Sequence, residues 1–143
     1  MLEFSVPLRV SISKKKHFIL NLNNYRNAHH RELSTAKNNF QDIVYGMCLK
    51  KKLGFTFRKP VRVTYTYYPA SQRKYDLMNV ASVIDKFLMD GLIKSGVLHD
   101  DNYLYVLWPN FIHGPVDKEN PRCEVRIEEV LNKSGGNSPP PSC

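Results

Sequence analysis

Asp76, Asn79, Asp85, Lys86, Asp90, Asp100 and Asp101 fall within one stretch of 26 residues. Five of the chain's 13 acidic residues lie there, although the net charge is +8. Aspartate oxygens gathered in a basic protein repel one another unless a cation lies between them. Hard oxygen donors select Mg²⁺, with Mn²⁺ as a substitute. The chemistry such a group would support is phosphodiester hydrolysis, with basic side chains holding the phosphate backbone. Each residue also has a simpler use. Asp76 suits a turn or a helix cap. Asp100 and Asp101, followed by Asn102, suit an ordinary turn. Asp85 suits a solvated helix face and Lys86 an exposed lysine. Asn79 suits a helix cap or a group that orients a ligand carboxylate.

The surrounding elements must bring these residues together. From Asn79 to about Ser95, apolar residues Val80, Val83, Ile84, Phe87, Leu88 and Gly91 share one side at 100° per residue, which predicts a helix. Asn79, Ser82, Lys86, Asp90 and Ile93 occupy the other side, and Gly96 offers a left-handed stop. Val61, Val63, Tyr65 and Tyr67 alternate, which predicts a strand before that helix. "NYLYVLW" and "RCEVRIEEV" read as two further strands, joined by a loop containing Pro and Gly. Near the start, Phe4, Val6, Leu8 and Val10 alternate through Pro7, which predicts an edge strand. Lys14, Lys15 and Lys16 then form a turn into a strand from Phe18 to Leu22. A loop from Asn23 leads into a helix whose Leu33, Ala36, Phe40, Ile43, Val44 and Met47 recur at three and four. Lys50, Lys51 and Lys52 suit its negative end, and Gly54 its stop. Strands and helices mix without strict alternation, so an α+β sheet with helices on one face is expected.

The chain has 143 residues, enough for one domain with a real core. Residues 1–132 read as that domain, and "NKSGGNSPPPSC" over 133–143 as a disordered tail. The 21 Lys and Arg suggest a polyanionic partner, nucleic acid or an anionic surface. No apolar run approaches the roughly 20 residues of a membrane span. "MLEFSVPLRV" lacks a basic start and a long apolar segment, so no signal peptide is expected. Cys48, Cys123 and Cys143 are too scattered for a metal motif, and reduced thiols in a cytoplasm fit them. His29, His30 and Glu32 lack the spacing of a zinc protease, and neither a glycine-rich phosphate loop nor a nucleophile elbow is present. The tyrosines of "TYTYYP" suit either half-buried strand positions or stacking on unpaired bases.

"YDLMN" followed by "DKFLMDGLIKSGVLHDDNYLYV" resembles the RusA family of crossover-junction endodeoxyribonucleases, especially phage and prophage members. "LNLNNYRNAHHRELSTAK" and "DKENPRCEVRI" are also similar, so the likeness covers roughly residues 18 to 130. The resemblance implies a homodimeric, Mg²⁺-dependent nuclease that resolves four-way (Holliday) DNA junctions by paired symmetric nicks. It implies a mixed sheet of about four to five strands with two main helices packed on it. It also implies the cytoplasm of a bacterial cell and a phage-encoded protein. Its motif is Asp-x-Asp-Asn before a helix, then a lysine, then an aspartate pair. Asp76, Asn79, Lys86 and Asp101 match and are the expected catalytic residues, with Asp76, Asp101 and Asp100 as metal ligands. The second aspartate of the motif is Met78 here, and a thioether is no substitute for a carboxylate on Mg²⁺. Against the family the helix is longer by about four residues, or one turn. Asp85, seven residues after Met78, becomes a candidate fourth ligand. Lys14, Lys15, Lys16, Arg26, Arg31, Arg73 and Lys74 are the expected phosphate contacts, the last two flanking the acidic site. The competing expectation is a non-catalytic nucleic-acid-binding protein in which Met78 marks a degenerate metal site. A phage assembly factor with a basic surface is a third.

Overall fold

The structure, a computed structural model, describes residues 1–51 and 54–130. The expected tail at 133–143, Lys52 and Cys143 therefore lie outside the described residues. In chain order the elements are β1 (Leu2–Val6), β2 (Arg9–Ser13), β3 (Lys16–Ile19), α1 (Leu22–Asn27), α2 (His30–Lys51), β4 (Val61–Tyr68), α3 (Leu77–Lys94), β5 (Asn110–His113) and β6 (Arg122–Glu129). The α+β class holds. A mixed four-stranded sheet in the order β1-β6-β4-β5 carries the helices, and β2 and β3 form a separate two-stranded sheet.

Alternation decides which face of the large sheet is covered. Leu2, Phe4 and Val6, then Val61, Val63 and Tyr65, then Cys123, Val125 and Ile127, all turn toward the helices and are buried. Register locks them side by side, with Phe4 opposite Val125 and Tyr65 also opposite Val125. The other face carries Glu3, Ser5, Thr64, Thr66, Glu124 and Arg126 around an open groove of about 450 Å³. Phe87 on α3 is the hub beneath the sheet. Its ring meets Phe18 of β3 at 5.9 Å, Tyr25 of α1 at 6.3 Å and Phe40 of α2 at 5.6 Å. Burying Ile84, Phe87, Leu88 and Leu92 contributes about 1.5–3 kcal/mol each. That docking, more than helix propensity, holds α3 in place. Gly96, at φ +78°, ends the helix as expected, and Gly54 adopts φ +70° after α2.

Three local expectations are corrected. The first strand breaks at Pro7, so that Val6 and Val10 belong to different sheets. Proline cannot donate to a ladder, and the break lets β1 pair with β6 while β2 turns to β3. β3 ends at Ile19, short of the expected Leu22, and a short helix, α1, takes over the end of that strand and the start of the expected loop, begun by Asn21, whose Oδ1 accepts the Asn24 amide at 2.8 Å. "NYLYVLW" is not a strand. Asn102–Tyr105 form a turn in which Asn102 Oδ1 accepts the Leu104 amide at 2.9 Å, and only Val106 bridges to Val61. The strand falls instead at Asn110–His113, inside the segment expected to be a loop, and pairs parallel with β4.

Candidate active site

β4, α3 and β5 make a strand–helix–strand unit with parallel strands, so the chain must cross over between them. Two places of chemical interest lie along this unit. One is on the body of α3. The other is at its N-terminus, near the C-terminal ends of β4 and β5.

Asp85 occupies the first. It sits mid-helix, partly buried, and its Oδ1 accepts a hydrogen bond from the Tyr65 hydroxyl on β4. Burial holds the Asp85 carboxyl above the usual carboxylate range. The Tyr65 hydrogen bond pulls the other way, and the charge of Asp101 pushes it further up. Asp101 thus stands within electrostatic reach of Asp85, across the turn that follows α3. Burial and the neighbouring Asp85 charge raise the Tyr65 phenol well above its usual value, so it stays a donor. Lys86 follows Asp85 on the helix and is exposed. Asp100 serves the turn itself: Oδ1 accepts the Asp101 amide at 2.7 Å and Oδ2 accepts Asn102 Nδ2 at 3.0 Å.

Asp76 occupies the second place. It is the N-cap residue of α3, yet its side chain makes no capping bond, which leaves the carboxylate exposed. Its carbonyl accepts the Asn79 amide at 3.0 Å. Asp76 lines a cleft of about 720 Å³ together with Arg73, Lys74, Tyr75 and His113. Nine residues separate Asp76 from Asp85, which is about 13 Å along the helix axis. They cannot both reach one ion at Mg²⁺ distances of about 2.0–2.1 Å. The four-aspartate cluster expected from the sequence is thus divided, and among the described residues no three acidic, His or Cys side chains gather as a metal-binding group. Met78 is 60% exposed and points no carboxylate substitute inward.

The basic residues form two sets. Arg73 and Lys74 are exposed at the cleft beside Asp76. Lys14 and Lys15 form the β2–β3 turn, Lys16 opens β3, Arg26 lies on α1, and Arg31 lies in the first turn of α2. Lys16 Nζ pairs with Glu32 at 2.6 Å, which ties the hairpin to α2. Phe40, Val44, Phe87 and Leu88 are core residues, all nearly inaccessible.

Three residues of the site escaped the sequence reading. Tyr65 read as a half-buried strand aromatic or a base-stacking ring and not as a partner of Asp85, although a tyrosine in a buried alternating position must find a partner for its hydroxyl. Tyr75 Oη and His113 Nδ1 share a hydrogen bond of 2.5 Å, a pairing that depends on the parallel register of β5.

No protein-family model matches the chain, and no curated protein matches it. The likeness to the RusA family therefore rests on the motif residues themselves.

Proposed function

We propose that the chain is a Mg²⁺-dependent, structure-selective endonuclease that resolves four-way DNA junctions by paired symmetric nicks. The observation that carries this reading is the half-buried Asp85 carboxylate on α3, held by the Tyr65 hydroxyl, with its pKa raised by burial and further by the charge of Asp101, in a chain of net charge +8. A half-buried carboxylate, Asp85, under the charge of the exposed Asp101 fits a hard cation. Mg²⁺ keeps several waters and is commonly held by one or two carboxylates plus substrate phosphate. Asp85 and Asp101 are therefore a sufficient protein donor set, and Asp100 serves the turn that presents Asp101. When bound, such a cation would supply charge neutralisation at phosphorus and acidify water.

The chain's own residues do the rest. Tyr65 fixes the rotamer of Asp85 by donating to Oδ1. Lys86 supplies positive charge toward the developing charge on the phosphate. Asp76 stands at the mouth of the cleft that receives the strand, with Asn79 bonded to its carbonyl. Arg73 and Lys74 hold phosphates there, and Lys14, Lys15, Lys16, Arg26 and Arg31, the second basic set, are further phosphate contacts. A homodimer with two-fold symmetry would set one site on each of two strands. The large exposed side chains Tyr103, Leu104, Trp108 and Ile112, around edge strand β5, suit that second copy. No helix among the described residues is long and apolar enough to cross a membrane, and the bacterial cytoplasm, with a phage as source, is the setting we assign.

A labelled synthetic four-way junction tests the reading. Mg²⁺ is expected to give symmetric paired cuts that disappear with EDTA. Asp85→Asn and Asp101→Asn are expected to reduce cutting at least 100-fold, and Asp76→Asn to reduce it as well. The exposed Met78, where the family motif has a carboxylate, favours one second reading, a binding protein without catalysis. A retarded band that never breaks under any divalent cation would establish that reading instead.

A further inference from the structure

We propose that the cleft beside Asp76 receives one unpaired nucleotide of the DNA substrate, its base on the Tyr75–His113 ring pair and its phosphate on Arg73 and Lys74. The inference rests on the DNA reading above and adds the class of branch that the protein prefers.

The rings are set in advance. Tyr75 is half-buried and His113 exposed, and both line the cleft. Their centroids lie 5.6 Å apart with the planes 34° from parallel, and the 2.5 Å hydrogen bond joins them. Tyr67 braces Tyr75 edge-on at 5.1 Å, and Phe111 stands 6.0 Å behind Tyr67. A platform held this way loses little side-chain freedom when a base lands on it. At about 720 Å³ the cleft falls in the range of ligand pockets.

Charge selects the rest of the ligand. Arg73 and Lys74 form no salt bridge among the described residues. Two cations against the one carboxylate of Asp76 leave the cleft net positive. The N-terminus of α3, an 18-residue helix, adds to that potential. Aromatic faces beside cations suit a nucleotide in general and carry little base preference. A base within a duplex has its faces covered by its neighbours, so the rings can take only a base that has left the stack. Among four-way junctions the cleft therefore favours those that present an unpaired nucleotide at the branch point over those paired up to the crossover.

The test uses the full chain in EDTA, so that nothing is cut, with 2-aminopurine at one branch-point position. Saturable quenching is expected when that base is unpaired, with about tenfold tighter binding than to the same branch fully paired. Tyr75→Ala is expected to abolish the preference, and Tyr75→Phe, which keeps a ring, to retain it. The exposed His113→Ala carries the same expectation as Tyr75→Ala and does not depend on a buried side chain. Equal affinity for paired and unpaired branches, or a preference that survives both alanine variants, overturns the proposal. The readout needs neither metal nor cleavage, so failure of junction cutting and failure of nucleotide capture are separate results.

Discussion

Tyr65 is fully enclosed, and Asp85 is the partner its hydroxyl finds. The pair puts a carboxylate where water is scarce and another carboxylate is near. Such a position is costly for folding and useful for gripping a cation. The sign follows from linkage. Burial raises the folded-state pKa of Asp85 above its ordinary 3.8. Its contribution to stability is then fully present below about 3.8 and is lost as pH rises through the raised value. At neutral pH without metal, the ionised Asp85 opposes folding. Asp85→Asn keeps an acceptor for Tyr65 and removes that charge. The variant is expected to melt higher than wild type at pH 7 in EDTA, by about 2–4 °C for each kcal/mol gained. The advantage should shrink as pH falls toward 3.8, while junction cutting is lost. A lower melting temperature at pH 7 would show that Asp85 is a structural acid. Cys48 and Cys123, by contrast, are sequestered: burial pushes their thiols up to about 11 and about 12. Neither is placed to serve as a nucleophile.

At the scale of elements, α2 and α3 meet closely at Gly91. A Cβ built there would lie 3.1 Å from Val44 Cβ and 3.2 and 3.3 Å from its two methyls. Val44 is completely buried and, being β-branched in a helix, has almost no alternative rotamer. Gly91→Ala gains about 1 kcal/mol of helix propensity but overpacks the contact by about 1–3 kcal/mol. A net loss of about 1 kcal/mol is expected in urea unfolding, and a gain would mean that the helices separate easily. Gly91 read as a core-side position because its spacing in α3 was unambiguous. β4, α3 and β6 were legible for the same reason: each is long, strictly periodic and half-covered. β5 was not, because it is four residues long, mostly exposed and flanked by Pro109 and Gly114. The aromatic run before it carried strand composition, but the Asn102 side chain turns the backbone there. Composition loses to a local hydrogen bond of that kind.

For the whole molecule, Asp76 lies at the start of α3 and Asp85 on its body, two places along the strand–helix–strand unit. The motif reading placed Asp76, Asp85, Asp100 and Asp101 around a single ion. The helix rise separates Asp76 from Asp85, and only the parallel return of the chain through β5 defines what each faces. Spacing within a helix can be read from sequence. The place where a following loop comes back cannot, because it depends on long-range pairing. The unit carries Asp85 on the body of α3, Asp101 beyond the turn that follows it, and a basic, aromatic cleft at its start. The central claim is that Asp85 and Asp101 hold the divalent cation. Anomalous diffraction from crystals soaked in Mn²⁺ tests it most directly. We predict a peak bound by oxygens of both Asp85 and Asp101, lost in Asp85→Asn. A peak at Asp76 with none at Asp85, or no bound cation at all, would contradict the account.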